Sequence, residues 1–347
     1  MNNRESSFEL LRLIAQYMIV AYHILLFWFV LEGPNPQPIY KALWVPLHIG
    51  VPLFVMISGY FRIKLSIKGL VRLIAPVFIY GFGLYLLNHF IYDAEFKLSS
   101  IFFVSNTPYW FIRTYLFLYL LSPLINRVIK DMTLTIRIAV LIILTWISCW
   151  CGLMGFDASL HEGYNVLHFA LLYLIGNTLA VYKDKCDSVP TWCVAVAYIL
   201  LAIGSVVCAY CSLVYMPRLS ILFHWLFEYN SLLLITQAVL FFMLFMRLHF
   251  YSRAVNYMAS SSLAIYLIHC CDVIFRHGIK DCAMWIQSSA KTGGGQVALV
   301  FVLAMAIVLV CIGIDKCLVP LWNLVSRSAD KLTRTKFGKI IEEYSYR

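Results

Sequence analysis

The first apolar run of the sequence, residues 8–30, contains two side chains that can do chemistry, Arg12 and His23. A helix turns by about 100° per residue, so eleven steps return both residues to within roughly 20° of one face, roughly 16 Å apart along the axis. Glu9 and Gln16 lie near the same face. Because ionisable groups are costly in hydrocarbon, they normally face a protein interior or a water-filled cavity, and this polar seam predicts a functional site. The alternative is an interfacial anchor at Arg12 and a hydrogen-bonded core histidine at His23.

The residue types indicate which chemistry such a seam would support. A neutral imidazole suits general-base catalysis, because it exchanges protons near neutral pH. The guanidinium of Arg12 suits a phosphate or carboxylate through its fixed fork of donors. Glu9 lies one turn away, where it can orient Arg12. We therefore predict His23, Arg12 and Glu9 as catalytic residues, with an anionic donor near Arg12 and a hydroxylic acceptor near His23.

A basic stretch follows the second apolar run and contains Arg62, Lys64, Lys68 and Arg72. One interpretation is the positive anchor that is typical of cytoplasmic loops. The other is a cradle for the phosphates of a donor, in which Arg12, Arg62, Lys68 and Arg72 are the cofactor-binding residues.

Polar and aromatic side chains in the other apolar runs are candidates for the acceptor end. Tyr266 and His269 share one helical face with Ser262, at i+4 and i+7 from it, and form a second polar seam. The acceptor-side candidates are His48, Trp110, Arg113, Glu228, Tyr266 and His269. A hydrogen-bonded or structural histidine is the alternative at both His48 and His269, but two histidine-bearing seams in one bundle favour a shared cavity.

Arg113 lies inside its apolar run and requires a partner there. Glu228 and Asp272 are the candidates for that partner. An inert structural ion pair is the alternative to a role at the acceptor site.

The composition indicates an integral membrane protein. Of 347 residues, 62% are hydrophobic and 13% are charged, and the charged share is about half that of soluble domains. Several apolar runs are long enough to span roughly 30 Å of hydrocarbon, and backbone groups in lipid must be satisfied within the segment, so each run predicts a helix. The runs are 8–30, 43–61, 73–92, 109–126, 134–154, 164–182, 192–215, 220–246, 254–275 and 296–315. The predicted fold class is all-α, a polytopic membrane helix bundle of about ten transmembrane helices.

The positive charges predict the orientation of the chain. Most of the 27 Lys and Arg residues fall in the segments that lie inside when the N-terminus is inside, which puts both termini in the cytoplasm. The same bias accounts for the net charge of +10 without a nucleic-acid partner. The expected organisation is a cytoplasmic segment 1–7, a membrane domain 8–320 and a basic cytoplasmic tail 321–347 that forms an interfacial helix.

Two further features concern loops and cysteines. The loop 276–295 ends in three glycines and is expected to end in a flexible linker. The cysteines number 11, and close pairs such as Cys270 and Cys271 lack further ligands at metal spacing. We expect them to be buried as small hydrophobic residues, and no metal site is predicted.

These residues together resemble the membrane acyltransferase family 3. The family's signature is an Arg and a His separated by ten residues in the first helix, as Arg12 and His23 are here. Further matches lie in order along the chain at 51–60 (VPLFVMISGY), 109–111 (YWF), 119–123 (YLLSP) and 265–269 (IYLIH). The chain is similar to members that modify polysaccharides and lipid-linked precursors, including the enterobacterial common antigen type of O-acetyltransferase.

The resemblance implies transfer of an acyl group, usually acetyl, from cytoplasmic acyl-CoA to a sugar hydroxyl at the outer face. It makes Arg12 and His23 the essential pair and acetyl-CoA the co-substrate. The implied setting is the bacterial cytoplasmic (inner) membrane, with an envelope glycan or lipid-linked sugar and the bilayer as partners, and a homo-oligomer is compatible with it. Two alternatives stay open: a same-family enzyme that acts on a peptide, lipid or small metabolite, and a transporter or flippase without acyl chemistry.

Overall fold

A computed structural model describes residues 5–34, 36–92, 109–151, 162–216, 228–271 and 273–346. Within these ranges the chain is helical and has no strand, as backbone satisfaction in lipid requires. The helices are α1 Ser6–Ile24, α2 Pro38–Leu47, α3 Gly50–Phe61, α4 Ile67–Tyr92, α5 Trp110–Lys130, α6 Leu134–Thr145, α7 Val166–Val181, α8 Lys183–Asp187, α9 Thr191–Tyr215, α10 Leu232–Met246, α11 Arg253–Ala259, α12 Ser262–His269, α13 Lys280–Ser289, α14 Gly293–Cys317, α15 Val319–Thr333 and α16 Lys336–Tyr346. Wider π-helical turns extend α1 over Leu25–Leu31 and α6 over Trp146–Cys151, and precede α13 at Ile274–Ile279.

The chain is a multi-pass membrane helix bundle. Among the described residues, 5 helical segments are long and apolar enough to cross a membrane, and 3 shorter apolar helices accompany them. The long segments are Ser6–Leu31, Pro38–Phe61, Ile67–Ile91, Thr191–Tyr215 and Gly293–Cys317. The count of ten spans and the cytoplasmic position of both termini stay predictions.

The predicted span 254–275 is broken by a run of serines. Helix α11 ends at Ala259 and α12 begins at Ser262. Serine hydroxyls compete for backbone groups, and here the Oγ atoms of Ser260 and Ser262 donate to the carbonyls of Tyr257 and Ala259 at 2.8 and 2.7 Å. The single helix predicted from hydropathy is therefore wrong, and the short α12 carries the second polar seam by itself.

The glycines at 293–295 do not form a flexible linker. They are the first residues of α14, because the Thr292 hydroxyl caps that helix by accepting a hydrogen bond from the Gly295 amide at 3.2 Å. Most of the expected loop 276–295 is also helical, because it is occupied by the π-helical turn Ile274–Ile279 and by α13. The tail forms two helices, α15 and α16, instead of the single helix expected over 321–347.

Helix α1 is the centre of the bundle and contacts α2, α3, α10, α11, α12 and α14. Its neighbour α3 packs closely on α7 through two glycines. A Cβ atom at Gly59 would lie 2.0 Å from the carbonyl oxygen of Tyr173, and one at Gly176 would lie 2.1 Å from that of Met56. Small residues of this kind let helix backbones approach directly in membranes.

The start of α12 is held by a buried carboxylate on α14. The Oδ2 atom of Asp315 accepts a hydrogen bond from the Ser261 hydroxyl at 2.6 Å, and its Oδ1 atom accepts from Tyr80 at 2.7 Å and from the Trp322 indole at 3.0 Å. These contacts tie α12 to α4, α14 and α15. They fix the helix that carries Tyr266 and His269 against the polar face of α1.

Candidate functional site

A cavity of about 380 Å³ lies along the second half of α1. It begins near Gln16, passes His23 and reaches Glu32 beyond the end of the helix, where Arg276 also lines it. The wall is mainly aromatic and the residues that line it are Gln16, Ile19, Tyr22, His23, Leu26, Phe27, Trp28, Glu32, Val51, Phe54, Trp110, Phe111, Tyr164, Tyr229, Tyr266, Cys270, Phe275 and Arg276. An apolar pocket with a few converging polar groups is the usual form of a small-molecule site.

His23 lines this cavity and contacts His269, which lies behind the wall. The Nδ1 atom of His23 lies 2.9 Å from the Nε2 atom of His269, so the two histidine-bearing seams form a single site. His269 is fully buried and His23 is half-buried. The pairing brings together a predicted catalytic residue and a predicted acceptor-side residue.

A backbone carbonyl sets the tautomer of the pair. The Nδ1 atom of His269 lies 2.6 Å from the carbonyl oxygen of Ile265, one turn earlier in α12. A carbonyl oxygen only accepts, so Nδ1 of His269 carries the hydrogen, and Nε2 of the neutral ring is an acceptor. His23 must then donate from Nδ1, which leaves a lone pair on its Nε2 atom. Among the described residues, no protein group makes a hydrogen bond to that atom, so the lone pair is available to the cavity.

Cys270 completes this cluster and was missed as a site residue, because burial as a small hydrophobic residue was expected. Its Sγ atom lies 3.3 Å from Nε2 of His269 and 3.8 Å from Nδ1 of His23. The only signal in the sequence was its position next to His269 at the end of a polar seam.

At the other end of the α1 seam, Arg12 forms an ion pair with Glu9. The Glu9 side chain is only 4% exposed, whereas that of Arg12 is 24% exposed, so the guanidinium keeps access to an outside ligand. Gln16, one turn further along α1, is the first residue of the cavity wall. Arg12 therefore lies just before the cavity, on the same side of the helix.

The predicted basic cradle begins beside this end of α1. Phe8 packs its ring 4.7 Å from that of Tyr60 and 4.9 Å from that of Phe61, directly before Arg62. Arg62 has a φ of 55°, which is uncommon for a residue with a Cβ atom and costs of order 1–3 kcal/mol. A strained backbone of this kind persists only where the surrounding structure fixes it.

The segment after Arg62 is fixed by three side chains. The Ile63 amide donates to the Tyr173 hydroxyl at 2.9 Å, and the Ile63 carbonyl accepts from Asn126 at 2.8 Å. The Tyr119 hydroxyl donates to the Lys64 carbonyl at 3.1 Å. The basic segment is thus held in one conformation.

The other two cradle candidates lie apart from this contact. Lys68 forms an ion pair with Asp330 of α15 at 2.9 Å, with both side chains well exposed, and Arg72 is exposed on α4. An exposed pair of this kind contributes little stability, so Lys68 remains able to exchange partners.

The acceptor-side candidates divide into cavity walls and neighbours. Trp110 and Tyr266 line the cavity, and Trp110 packs against Tyr164 and Tyr229 with ring centroids 4.4 and 5.4 Å apart. His48 lies behind the wall, where it stacks on Tyr22 at 4.6 Å and contacts Tyr229 at 3.9 Å. Sequence reasoning missed the tyrosines at 22, 164 and 229, because nothing in their local spacing indicates that three distant segments meet.

Arg113 and Glu228 lie outside the cavity wall. Pairing of Arg113 with Glu228 stays a prediction, and Asp272, the other proposed partner of Arg113, lies outside the described residues. Glu228 lies in the turn before α10.

Comparison with known proteins gives one match. The family model described as an acyltransferase domain, that of acyltransferase family 3, matches residues 5–315. No curated protein and no solved structure matches the chain.

Proposed function

Because the chain belongs to acyltransferase family 3 and is therefore a membrane acyltransferase, we propose that it moves an acetyl group from cytoplasmic acetyl-CoA to a sugar hydroxyl. The acceptor is a hydroxyl of an envelope polysaccharide or of its lipid-linked precursor, and the site of action is the bacterial inner membrane. The observation that carries this proposal is the His23–His269 pair, which presents a basic nitrogen to an aromatic cavity.

His23 acts as the general base in this mechanism. Its Nε2 atom takes the proton of the acceptor hydroxyl while the hydroxyl oxygen attacks the thioester carbonyl. When the tetrahedral intermediate collapses, the carbon–sulfur bond breaks and the CoA thiolate recovers that proton from His23. His269 accepts the Nδ1 hydrogen of His23 throughout, and so orients the ring and stabilises its positive charge. The proton balance closes without any further group.

The aromatic wall supports a sugar as the acceptor. Sugars present flat apolar faces beside their hydroxyls, and Trp110, Tyr164 and Tyr229 supply rings against which such a face can pack. Glu32 and Arg276 at the far end of the cavity supply polar groups for the remaining hydroxyls. The same-family alternative, an acceptor that is a peptide, lipid or small metabolite, uses the same base and differs only in what this wall holds.

Arg12 supports a donor that enters from the opposite end. Its guanidinium would hold a CoA phosphate or the adjoining polar arm, with Arg62 and the fixed segment behind it, and with Lys68 and Arg72 as further cations. The roughly 16 Å from Arg12 to His23 suits an extended pantetheine arm along the helix. The orientation predicted from the positive charges would put this end in the cytoplasm, where acetyl-CoA is available.

A transporter without chemistry is the competing class of function. It does not require a base whose tautomer is set by a second histidine and a carbonyl, and it predicts that glycan composition does not depend on acetyl-CoA. The match to the acyltransferase family favours an enzyme over a transporter.

The test compares envelope glycans by mass spectrometry from cells with the gene, without it, and with the His23→Ala variant. The proposal predicts an acetyl-sized mass difference, removed by mild base, that is present only with the unaltered gene. His249→Ala is the matched control, because His249 is an exposed histidine outside the cavity. Full acetylation in the His23→Ala cells, at equal protein level in the membrane, would overturn the role of His23.

A further inference from the structure

We propose that His23, His269 and Cys270 form a binding site for a Zn²⁺ ion or a similar thiophilic metal ion, and that filling this site switches off acyl transfer. The site lies at the junction of α1 and α12, in the cavity wall. The binding part of the proposal is independent of the proposed function, and the switching part rests on it.

The three candidate ligand atoms converge at metal-binding distances. They are Nδ1 of His23, Nε2 of His269 and Sγ of Cys270, and all lie within 4.8 Å of one another. The two nitrogens are 2.9 Å apart, and the sulfur lies 3.3 and 3.8 Å from them. Tetrahedral Zn²⁺ with bonds of about 2.0–2.1 Å to nitrogen and about 2.3 Å to sulfur separates its ligand atoms by roughly 3.3–3.6 Å. Shifts of about half an ångström therefore convert the observed cluster into a coordination set.

The surroundings of His269 are those of a metal ligand. A ligating histidine normally donates its other ring hydrogen to a carbonyl or carboxylate, which fixes the ring and raises the basicity of the ligating nitrogen. His269 does this already, through its 2.6 Å hydrogen bond to the Ile265 carbonyl. Its Nε2 atom is thus presented as a lone pair at the point where the other two ligand atoms meet.

The ligand chemistry selects the class of metal. Two imidazoles and one thiolate suit Zn²⁺ and Cu⁺, whereas Mg²⁺ and Ca²⁺ prefer oxygen ligands. Three protein ligands leave a fourth position, and since His23 and Cys270 line the cavity that position faces the space for the substrate.

The same atoms have a stable arrangement without metal, because His23 and His269 then form their hydrogen bond. The proposed site therefore has two states, one with this hydrogen bond and one with the ion. This distinguishes it from a structural metal site, in which the ligands satisfy one another only through the metal.

The metal-bound state is inactive because the ion changes which nitrogen of His23 carries the hydrogen. The metal occupies Nδ1 of His23, so the hydrogen of the neutral ring moves from Nδ1 to Nε2. Cys270 binds as a thiolate and releases its proton to solvent. His23 then presents an N–H donor to the cavity in place of a lone pair, and it cannot take the proton of the acceptor hydroxyl.

Metal binding is tested on the purified full-length protein in detergent by titration with Co²⁺, whose bonds to thiolate give an ultraviolet charge-transfer band. The unaltered protein should show a saturable band that Zn²⁺ removes. Cys270→Ser and His269→Asn should lose that band, whereas Cys271→Ser, the neighbouring cysteine, should keep it. A band of equal size in Cys270→Ser, or no saturable band in the unaltered protein, would overturn the site.

The switch is tested by acyl transfer in membranes with and without Zn²⁺, each variant being compared with itself. Zn²⁺ should inhibit the unaltered enzyme and the Cys271→Ser variant, and a chelator should restore both. The Cys270→Ser variant should require at least about tenfold more Zn²⁺ for the same degree of inhibition. Cobalt binding without zinc inhibition would overturn the switch. Absence of acyl transfer in the untreated unaltered enzyme would contradict the proposed function instead, since cobalt binding does not depend on it.

Discussion

Nδ1 of His23 lies 2.9 Å from Nε2 of His269, although the two residues are 246 positions apart in the chain. The contact joins the first helix of the bundle to the short helix α12. Its direction is set by the Ile265 carbonyl, which requires the hydrogen of His269 on Nδ1. The basic nitrogen of His23 is thereby defined by the backbone of a residue that does not line the cavity.

His269 is therefore a positioning residue, which acts through its Nε2 atom by accepting the hydrogen bond from His23. His269→Leu should lower kcat by about 10²–10⁴-fold, the contribution of general-base catalysis, with a small effect on KM for either substrate. His269→Gln should restore part of the rate, because its amide oxygen can accept the His23 hydrogen. The measurement is steady-state acyl transfer in membranes at matched protein levels. Equal loss in both variants would indicate a structural role only.

Arg12 should contribute to binding of the acetyl-CoA donor and not to the chemical step. Arg12→Lys keeps the charge but loses the fork of donors and weakens the pair with Glu9, so KM for acetyl-CoA should rise by about tenfold to a hundredfold. The control is Arg127→Lys, an exposed arginine in the last turn of α5. An unchanged KM for acetyl-CoA with a reduced kcat would place Arg12 elsewhere in the reaction.

Trp110 should contribute to binding of the glycan acceptor. Trp110→Ala removes the ring that packs against Tyr164 and Tyr229, and should raise KM for the glycan by about tenfold, whereas Trp110→Phe should keep most of the affinity. The same two variants should leave KM for acetyl-CoA unchanged. A larger effect on the acetyl-CoA KM than on the glycan KM would contradict an acceptor site at this wall.

The parts of the site that the sequence predicts are those that depend on one helix. Arg12 and His23 share a face of α1 because helical periodicity alone puts them there, and Tyr266 and His269 share a face of α12 for the same reason. The distance between His23 and His269 depends on how α12 docks against α1. That docking rests on contacts such as the hydrogen bond between Ser261 and Asp315. These two residues are 54 positions apart in the chain, and no periodicity in the sequence encodes such a contact.

The missed features have a common physical origin. Cys270 matters through its distance to two imidazoles, which hydropathy cannot indicate. The break between α11 and α12 depends on serine hydroxyls that bond to the backbone, although the surrounding hydropathy is that of a continuous span. The Thr292 cap likewise converts a glycine run into the start of a helix.

Close packing of α3 on α7 should be sensitive to a single methyl group. Gly59→Ala places a Cβ atom 2.0 Å from the Tyr173 carbonyl oxygen, so the helices must separate, at a cost of about 1–3 kcal/mol or more. Thermal unfolding in detergent should show a clear loss of stability. Gly204→Ala is the matched control, because a Cβ atom there meets no atom within 4 Å and alanine favours the helix. Equal stability of the two variants would contradict the observed helix contact.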